Sequence, residues 1–186
     1  MPEETSSLSY LLSIVQWSPL HVVILLVIVQ RILELRLSKR NEKRLRERGA
    51  VEVGADHSPA IVTLHALWFA GMIAEVVLLT RSINPFWPAL LAILLLAQWL
   101  RYWAIRSLGP SWTTRVLVVP KSRPVTSGPY KYLRHPNYIV VATELFVLPV
   151  MLGAYVTAIT VTVINAILLL IRIRAEDRAW REIGKR

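Results

Sequence analysis

The sequence predicts an all-α integral membrane protein with five transmembrane helices, and three observations predict it. Of 186 residues, 54% are hydrophobic and only 18% charged, whereas a soluble domain carries about a quarter charged residues. The apolar residues fall in blocks of roughly 20, the length that crosses a hydrocarbon core about 30 Å thick. The basic residues gather in alternate connections between those blocks, which sets both the number of crossings and their direction.

The first span runs from about Pro19 to Leu35, with Ser18-Pro19 as its helix start. The second runs from about Pro59 to Leu79 and is again opened by a proline. The third runs from about Pro85 to Leu108 and stops at Gly109-Pro110. The stretch from Tyr138 to Ile173 is almost continuously apolar and too long for one crossing. Its break near Pro149 and Met151-Leu152-Gly153-Ala154 divides it into two tight antiparallel helices, about 138–152 and 155–173. The polar, acidic stretch Met1–Ser9 lacks the basic region of a cleaved signal peptide, so the first block reads as a retained span.

Between the first and second spans lie Arg36, Lys39, Arg40, Lys43, Arg44, Arg46 and Arg48. The segment 106–138 holds Arg106, Arg115, Lys121, Arg123, Lys131 and Arg134, and has no acid. The tail adds Arg172, Arg174, Arg178, Arg181, Lys185 and Arg186, while the alternate connections hold only Arg81. This pattern places the N-terminus outside and the C-terminus in the cytoplasm. A four-span arrangement would put a basic segment on the wrong side.

The net charge of +10 is therefore topological. Nucleic acid is excluded as a partner, since no groove-reading motif accompanies the charge. The partner expected is the lipid bilayer, whose anionic headgroups attract such segments. The chain has no cysteine, which removes disulfides, thiolate nucleophiles and Cys-bound zinc, and no metal is expected. Ser38–Arg48 reads as a solvated helical extension of the first span, ended by Gly49. An exposed helix face is compatible with a dimer. Residues 1–186 form a single transmembrane domain, so a site must be built from cytoplasmic loops and helix ends.

Ionisable residues within spans are costly. Glu75 and Arg81 lie toward the outer side of the second span, where they can snorkel. Arg101 sits on the cytoplasmic half of the third span beside Gln98 and Tyr102. Glu144 lies two turns into the fourth and is expected to pair with Arg101 or with Arg172. Asn165 lies in the fifth span, and His21 reads as structural.

The connection 109–138 reads GPSWTTRVLVVPKSRPVTSGPYKYLRHPNY. It is dense in Gly, Pro, aromatic and basic residues, as functional loops are. Val116–Val119 suits a short extended piece, and Thr126-Ser127-Gly128-Pro129 a turn. Tyr130 to His135 then lead into the fourth span, which Pro136 helps to start.

Within it, Ser127-Gly128-Pro129-Tyr130 followed by Arg134-His135-Pro136-x-Tyr138 resembles the hallmark of the isoprenylcysteine carboxyl methyltransferase family. The second half of that hallmark is an Arg-x-x-x-Glu-Glu cluster just after the last span. Arg172, Glu176 and Asp177 stand at that spacing, with Asp in place of the second Glu. The resemblance covers roughly residues 85–182. The segment from Arg31-Ile32-Leu33-Glu34 to Arg48-Gly49-Ala50, with His65 after it, resembles bacterial members, some of which methylate alkylpyrone or phenolic lipids. Motifs of the RHPxY type also occur in phospholipid N-methyltransferases and in sterol reductases that bind NADPH. The Arg-x-x-x-Glu pair without a longer reductase body favours the methyltransferase branch over a reductase or a non-catalytic scaffold.

The resemblance implies S-adenosylmethionine as cofactor, S-adenosylhomocysteine as product and a lipid-like methyl acceptor. It implies that the segment before the Ser-Gly turn wraps the cofactor, here Ser122, Arg123, Pro124 and Val125, with Arg115 upstream. The family commonly has His where Ser122 stands and Gln where Arg115 stands, so the contacts carried over there are those of the backbone. Tyr130, His135, Pro136, Asn137 and Tyr138 match directly as cofactor residues. Glu176 would help hold the cofactor, and Arg172 would orient the acceptor, the one residue assigned both substrate binding and catalysis.

These residue types suit that chemistry. Aromatic faces stabilise a sulfonium by cation–π attraction, worth about 0.5–2 kcal/mol. A carboxylate takes the cofactor's ammonium, and cations or backbone donors its carboxylate. Methyl transfer from a sulfonium neutralises charge, so a dry pocket favours it. An acceptor carboxylate needs no base, and positioning by Arg172 supplies much of the rate. A phenolic acceptor must lose a proton, a task for His135 or Glu176.

Overall fold

A computed structural model of the chain describes residues 19–55 and 58–183. The readings made for Met1–Ser9, for Ser18 and for the His21 side chain lie outside the described residues. Helix α1 (Pro19–Glu47), α2 (Ser58–Leu78), α3 (Trp87–Leu108), α4 (Pro136–Met151) and α5 (Tyr155–Glu182) account for most of the described chain. Three of them offer segments long and apolar enough to cross a membrane, Pro59–Leu78, Trp87–Ser111 and Tyr155–Glu182. Helix α4 is apolar but shorter, and the apolar part of α1 carries Arg31, Glu34 and Arg36. The protein is a multi-pass membrane protein.

The chain forms two compact units, divided between Arg36 and Leu37. In the first, Gln30 and Arg31 both donate to the Glu34 carboxylate, at 2.9 and 2.5 Å. This local pairing lowers the cost of a charge in an apolar stretch. In the second unit, α4 packs between α3 and α5, and α2 packs on α5. The outer faces are apolar, with Val62, Leu67 and Ile73 on α2, Leu95 and Leu96 on α3, and Ile159, Val163 and Ile167 on α5 all exposed. Polar residues go inward: Glu75, Arg101, Glu144, Thr157 and Asn165 are all buried. An apolar exterior around a partly polar interior is what a hydrocarbon solvent selects.

Backbone chemistry sets the helix boundaries. Proline at the first turn of α3 and of α4 loses no helical bond there, since its missing N–H would be unpaired anyway. Pro149 inside α4 cannot donate to the Leu145 carbonyl. The indole N–H of Trp68 on α2 donates to that carbonyl instead, at 3.2 Å. The α4–α5 turn needs Gly153, whose φ is +80° and where a Cβ would lie 2.5 Å from the Ser82 carbonyl oxygen.

Several expectations are corrected. The fold is nearly all-α: Val116–Val118 (β2) pairs antiparallel with Val51–Val53 (β1), in the register Val51 to Val118 and Val53 to Val116. The extended piece was expected, but its partner strand was not. Glu75 does not snorkel. It is buried and accepts from the backbone N–H groups of Val156 and Thr157, at 3.1 and 2.8 Å, and from the Thr157 hydroxyl. It thus caps α5 from another helix, because Ala154 offers no side-chain cap. The Ser38–Arg48 segment is helical, but it is not solvated all round. Ser38, Asn41 and Leu45 are buried on one face. Of the two partners expected for Glu144, Arg101 is the one it pairs with, and Gln98 also donates to it.

Candidate functional site

The connection between α3 and α4 is folded onto the end of α3. Two short 3-10 turns, Gly109–Ser111 and Gly128–Lys131, frame it. The second packs against α3. Gly128 has φ +60°, and a Cβ there would sit 1.9 Å from Ser107 Oγ and 3.2 Å from Trp103 Nε1. The glycine of the Ser-Gly-Pro-Tyr motif is therefore required by close approach as well as by backbone angle. Pro129, buried next to it, fixes the turn that delivers Tyr130.

His135 then stands at the N-cap of α4 without capping it through its side chain. Its ring stacks on Tyr138, with centroids 5.1 Å apart and planes 10° apart. Pro136 between them is buried and opens the helix. From α5, Arg172 Nε donates to the Tyr138 hydroxyl at 3.1 Å, and that hydroxyl donates to Glu176 Oε2 at 2.7 Å. The Arg172 guanidinium also lies over the Tyr138 ring, 5.6 Å from its centroid. Arg172, Tyr138 and Glu176 thus form one polar relay joining the last turns of α5 to the first turn of α4. Arg172 and Glu176 meet the same tyrosine because they are four residues apart on one helical face.

The relay is not saturated. Arg172 spends Nη2 on the Thr114 carbonyl, which leaves Nη1 without a partner among the described residues. His135 Nδ1 lies 3.6 Å from Glu176, and Nε2 lies 3.8 Å from Asp177. Those distances exceed a hydrogen bond, and His135 Nε2 and Asn137 Oδ1 are buried without a hydrogen-bond partner. Buried polar atoms are almost always paired, so these two have capacity left for a further partner; Thr162 Oγ1 and Asn165 Nδ2, elsewhere on α5, are also buried without a hydrogen-bond partner. Tyr130 is half-buried beside them. Its hydroxyl is held above the ordinary tyrosine range by burial first and by the Glu176 charge second, so it stays a neutral donor.

The other residues singled out from the sequence sit apart from this relay. Arg115 pairs with Glu52 at 2.5 Å and approaches Glu42 at 3.6 Å, bracing the ribbon. The Ser122 hydroxyl donates to the Val119 carbonyl at 2.6 Å. Arg123 and Pro124 are exposed and Val125 is half-buried. No hydrogen bond joins these to Tyr138 or Arg172 among the described residues. Sequence reasoning missed Thr114, whose backbone carbonyl holds Arg172. It also missed the buried face of α1 behind it, although Ser38, Asn41 and Leu45 stand at spacings of three and four, a helical stripe.

Between α3 and α4 lies an open apolar groove of about 220 Å³, lined by Leu96, Ala97 and Leu100 and by Ile139, Val140 and Thr143. Its α4 wall begins at the residue after Tyr138. No group of three or more potential metal ligands occurs among the described residues.

Comparison with known proteins adds the following. The profile of the isoprenylcysteine carboxyl methyltransferase (ICMT) family matches residues 90–182. The chain is 44% identical over 161 residues to the uncharacterized protein YpbQ of Bacillus subtilis, covering 87% of this chain and 96% of that one. It is 29% identical over 158 residues to an uncharacterized protein of Haemophilus influenzae, covering 84% of this chain and 92% of that one. No solved structure matches.

Proposed function

This chain belongs to the isoprenylcysteine carboxyl methyltransferase family, and from that premise we propose that it is an S-adenosylmethionine-dependent O-methyltransferase acting on a lipid-like acceptor. The acceptor group is a carboxylate of the prenylcysteine type or a hydroxyl of an alkylpyrone or phenolic lipid. The observation that carries this reading is the unsaturated relay Arg172–Tyr138–Glu176, with His135 Nε2 and Asn137 Oδ1 buried beside it and unpaired.

The groups present fit the cofactor. Asn137 Oδ1 and the Glu176 and Asp177 carboxylates are acceptors suited to an ammonium. The faces of Tyr130 and Tyr138 suit a sulfonium, at about 0.5–2 kcal/mol per favourable contact. When bound, the cofactor supplies an electrophilic methyl group on a sulfonium. The protein does the remaining work by positioning. Arg172 is fixed at Nε by Tyr138 and at Nη2 by Thr114, so its open Nη1 edge can hold an acceptor oxygen without first being ordered. The stacked His135–Tyr138 pair and the packed Gly128 turn hold the surrounding side chains in place. A carboxylate acceptor needs nothing more. A hydroxyl acceptor gives its proton to His135 or Glu176.

The α3–α4 groove suits an acyl or prenyl tail, since it is apolar and begins beside Tyr138. The distribution of basic residues supports five crossings with the N-terminus outside and this site at the cytoplasmic face. The test is methyl transfer from labelled S-adenosylmethionine in lipid vesicles, with a farnesylated N-acetylcysteine and a long-chain hydroxypyrone as acceptors. Label recovered in an ester assigns the first acceptor class, and label in an aryl or enol ether assigns the second. Transfer to neither, with NADPH-dependent reduction of a sterol-like olefin instead, would replace the reading by that of a reductase.

A further inference from the structure

The family profile begins at residue 90, yet the loop that holds Arg172 is itself held from outside that region. Asn41 on α1 is 2% exposed and donates from Nδ2 to the Trp112 carbonyl at 2.8 Å and to the Gly109 carbonyl at 3.3 Å. Ser38, one turn earlier and 1% exposed, accepts from the Thr114 N–H at 2.9 Å and lies 2.9 Å from the Thr114 hydroxyl. The Ser38 hydroxyl hydrogen goes to Glu42 at 2.8 Å, so the Thr114 hydroxyl is the donor in that second bond. The far side of the same residue, the Thr114 carbonyl, receives Arg172 Nη2.

We infer that Ser38 and Asn41 are positioning residues for Arg172, acting through the strap 109–114. The inference rests on the reading of Arg172 as the group that orients the acceptor. The physical case is that two buried polar side chains reach into the strap at three residues: Asn41 Nδ2 donates to the Gly109 and Trp112 carbonyls, and Ser38 Oγ accepts from the Thr114 N–H and hydroxyl. A charged helix that served only solubility or orientation would bury neither. Lys39, Arg40, Lys43 and Arg44 remain on the opposite, exposed face, so the arm separates a surface role from an inward, structural one. After Thr114 the chain enters β2, held by the ribbon and by Arg115 to Glu52. Thr114 is thus the point where α1, the strap and α5 meet through hydrogen bonds.

The experiment uses the full-length protein in lipid vesicles, with Ser38→Ala, Asn41→Leu and Thr114→Val made singly and in an Arg172→Lys background. S-adenosylhomocysteine affinity, measured by calorimetry, reports that each variant is folded, and it is expected to stay within about twofold, because Ser38, Asn41 and Thr114 make no direct bond to Tyr130, His135, Asn137, Tyr138 or Glu176. With the better of the two lipid acceptors above, Ser38→Ala and Asn41→Leu are each expected to lower kcat/KM about tenfold, mainly through KM for the acceptor. Thr114→Val keeps the backbone bond and should fall between these and the parent. In the Arg172→Lys background the same substitutions should cost less than about twofold, because the group they position is gone. Equal losses in both backgrounds would overturn the inference and leave Ser38 and Asn41 as general stabilisers. Absence of S-adenosylhomocysteine binding by the unsubstituted protein would instead overturn the methyltransferase reading, and the inference with it.

Discussion

The two ends of α5 are built from the same materials and finished differently. At its N-terminus the Glu75 carboxylate accepts three hydrogen bonds from Val156 and Thr157, and Arg81 lies 3.6 Å away. Both Glu75 carboxylate oxygens there have partners within the protein. At the other end, Arg172 and Glu176 meet Tyr138, but Arg172 Nη1, His135 Nε2 and Asn137 Oδ1 are left over. A closed polar cluster holds helices together, whereas an open one holds helices together and has valence to spare for something else. The difference also explains why burial and charge alone did not single out the site: both ends have them.

Substitutions should break this contrast in graded ways. The largest effect is expected from Glu75→Leu, which orphans two backbone N–H groups at about 1–3 kcal/mol each. The thermal midpoint in detergent should drop strongly, while methyl transfer per folded molecule stays unchanged. Arg172→Lys is the reverse case. Lysine lacks the planar fork, so kcat/KM should fall about 100-fold, or roughly 2.7 kcal/mol, with little change in midpoint. The two closely approached glycines at positive φ make a matched pair. Gly153→Ala and Gly128→Ala each place a Cβ at positive φ against a neighbouring atom, at a cost of about 1–3 kcal/mol. Only Gly128→Ala should also weaken S-adenosylhomocysteine binding, because only that turn carries Tyr130.

The smallest effect concerns the ribbon. Burial raises the Glu52 pKa, but hydrogen bonds from Arg46 and Arg115 outweigh it and hold the group below its usual 4.5. A carboxylate with a depressed folded-state pKa contributes stability that is fully present above its unfolded value and is lost as pH falls through the folded one. Stability should therefore decline below about pH 4.5, and Glu52→Gln should flatten that decline in a pH series of melting curves.

Much of the helical layout was legible because proline and glycine announce it. Pro59, Gly109-Pro110, Pro136 and Gly153 each fall within a residue or two of a helix boundary. The Arg101–Glu144 pair was legible as one of two options, since charges in apolar helices must find each other. The ribbon was half-legible: Val116–Val118 looks extended, but Val51-Glu52-Val53 is too short to announce a strand without its partner. The role of Glu75 was hidden because its ligands are backbone N–H groups on a helix far along the chain, and backbone groups leave no signature. Thr114 was hidden for the same reason, and Ser38 and Asn41 because a run of lysines and arginines masks a short polar stripe. At the site, the two motif halves named Tyr138, Arg172 and Glu176, but a motif does not say that they touch each other. That is a property of α4 and α5 packing side by side.

The most direct test of the central claim is calorimetric titration of the detergent-solubilised protein with S-adenosylhomocysteine, with NADPH titrated in parallel. Saturable binding of S-adenosylhomocysteine, weakened by Tyr130→Ala or Glu176→Ala and unaffected by Glu75→Gln, is the expected result. Binding of NADPH alone, or S-adenosylhomocysteine binding indifferent to Tyr130 and Glu176, would contradict it.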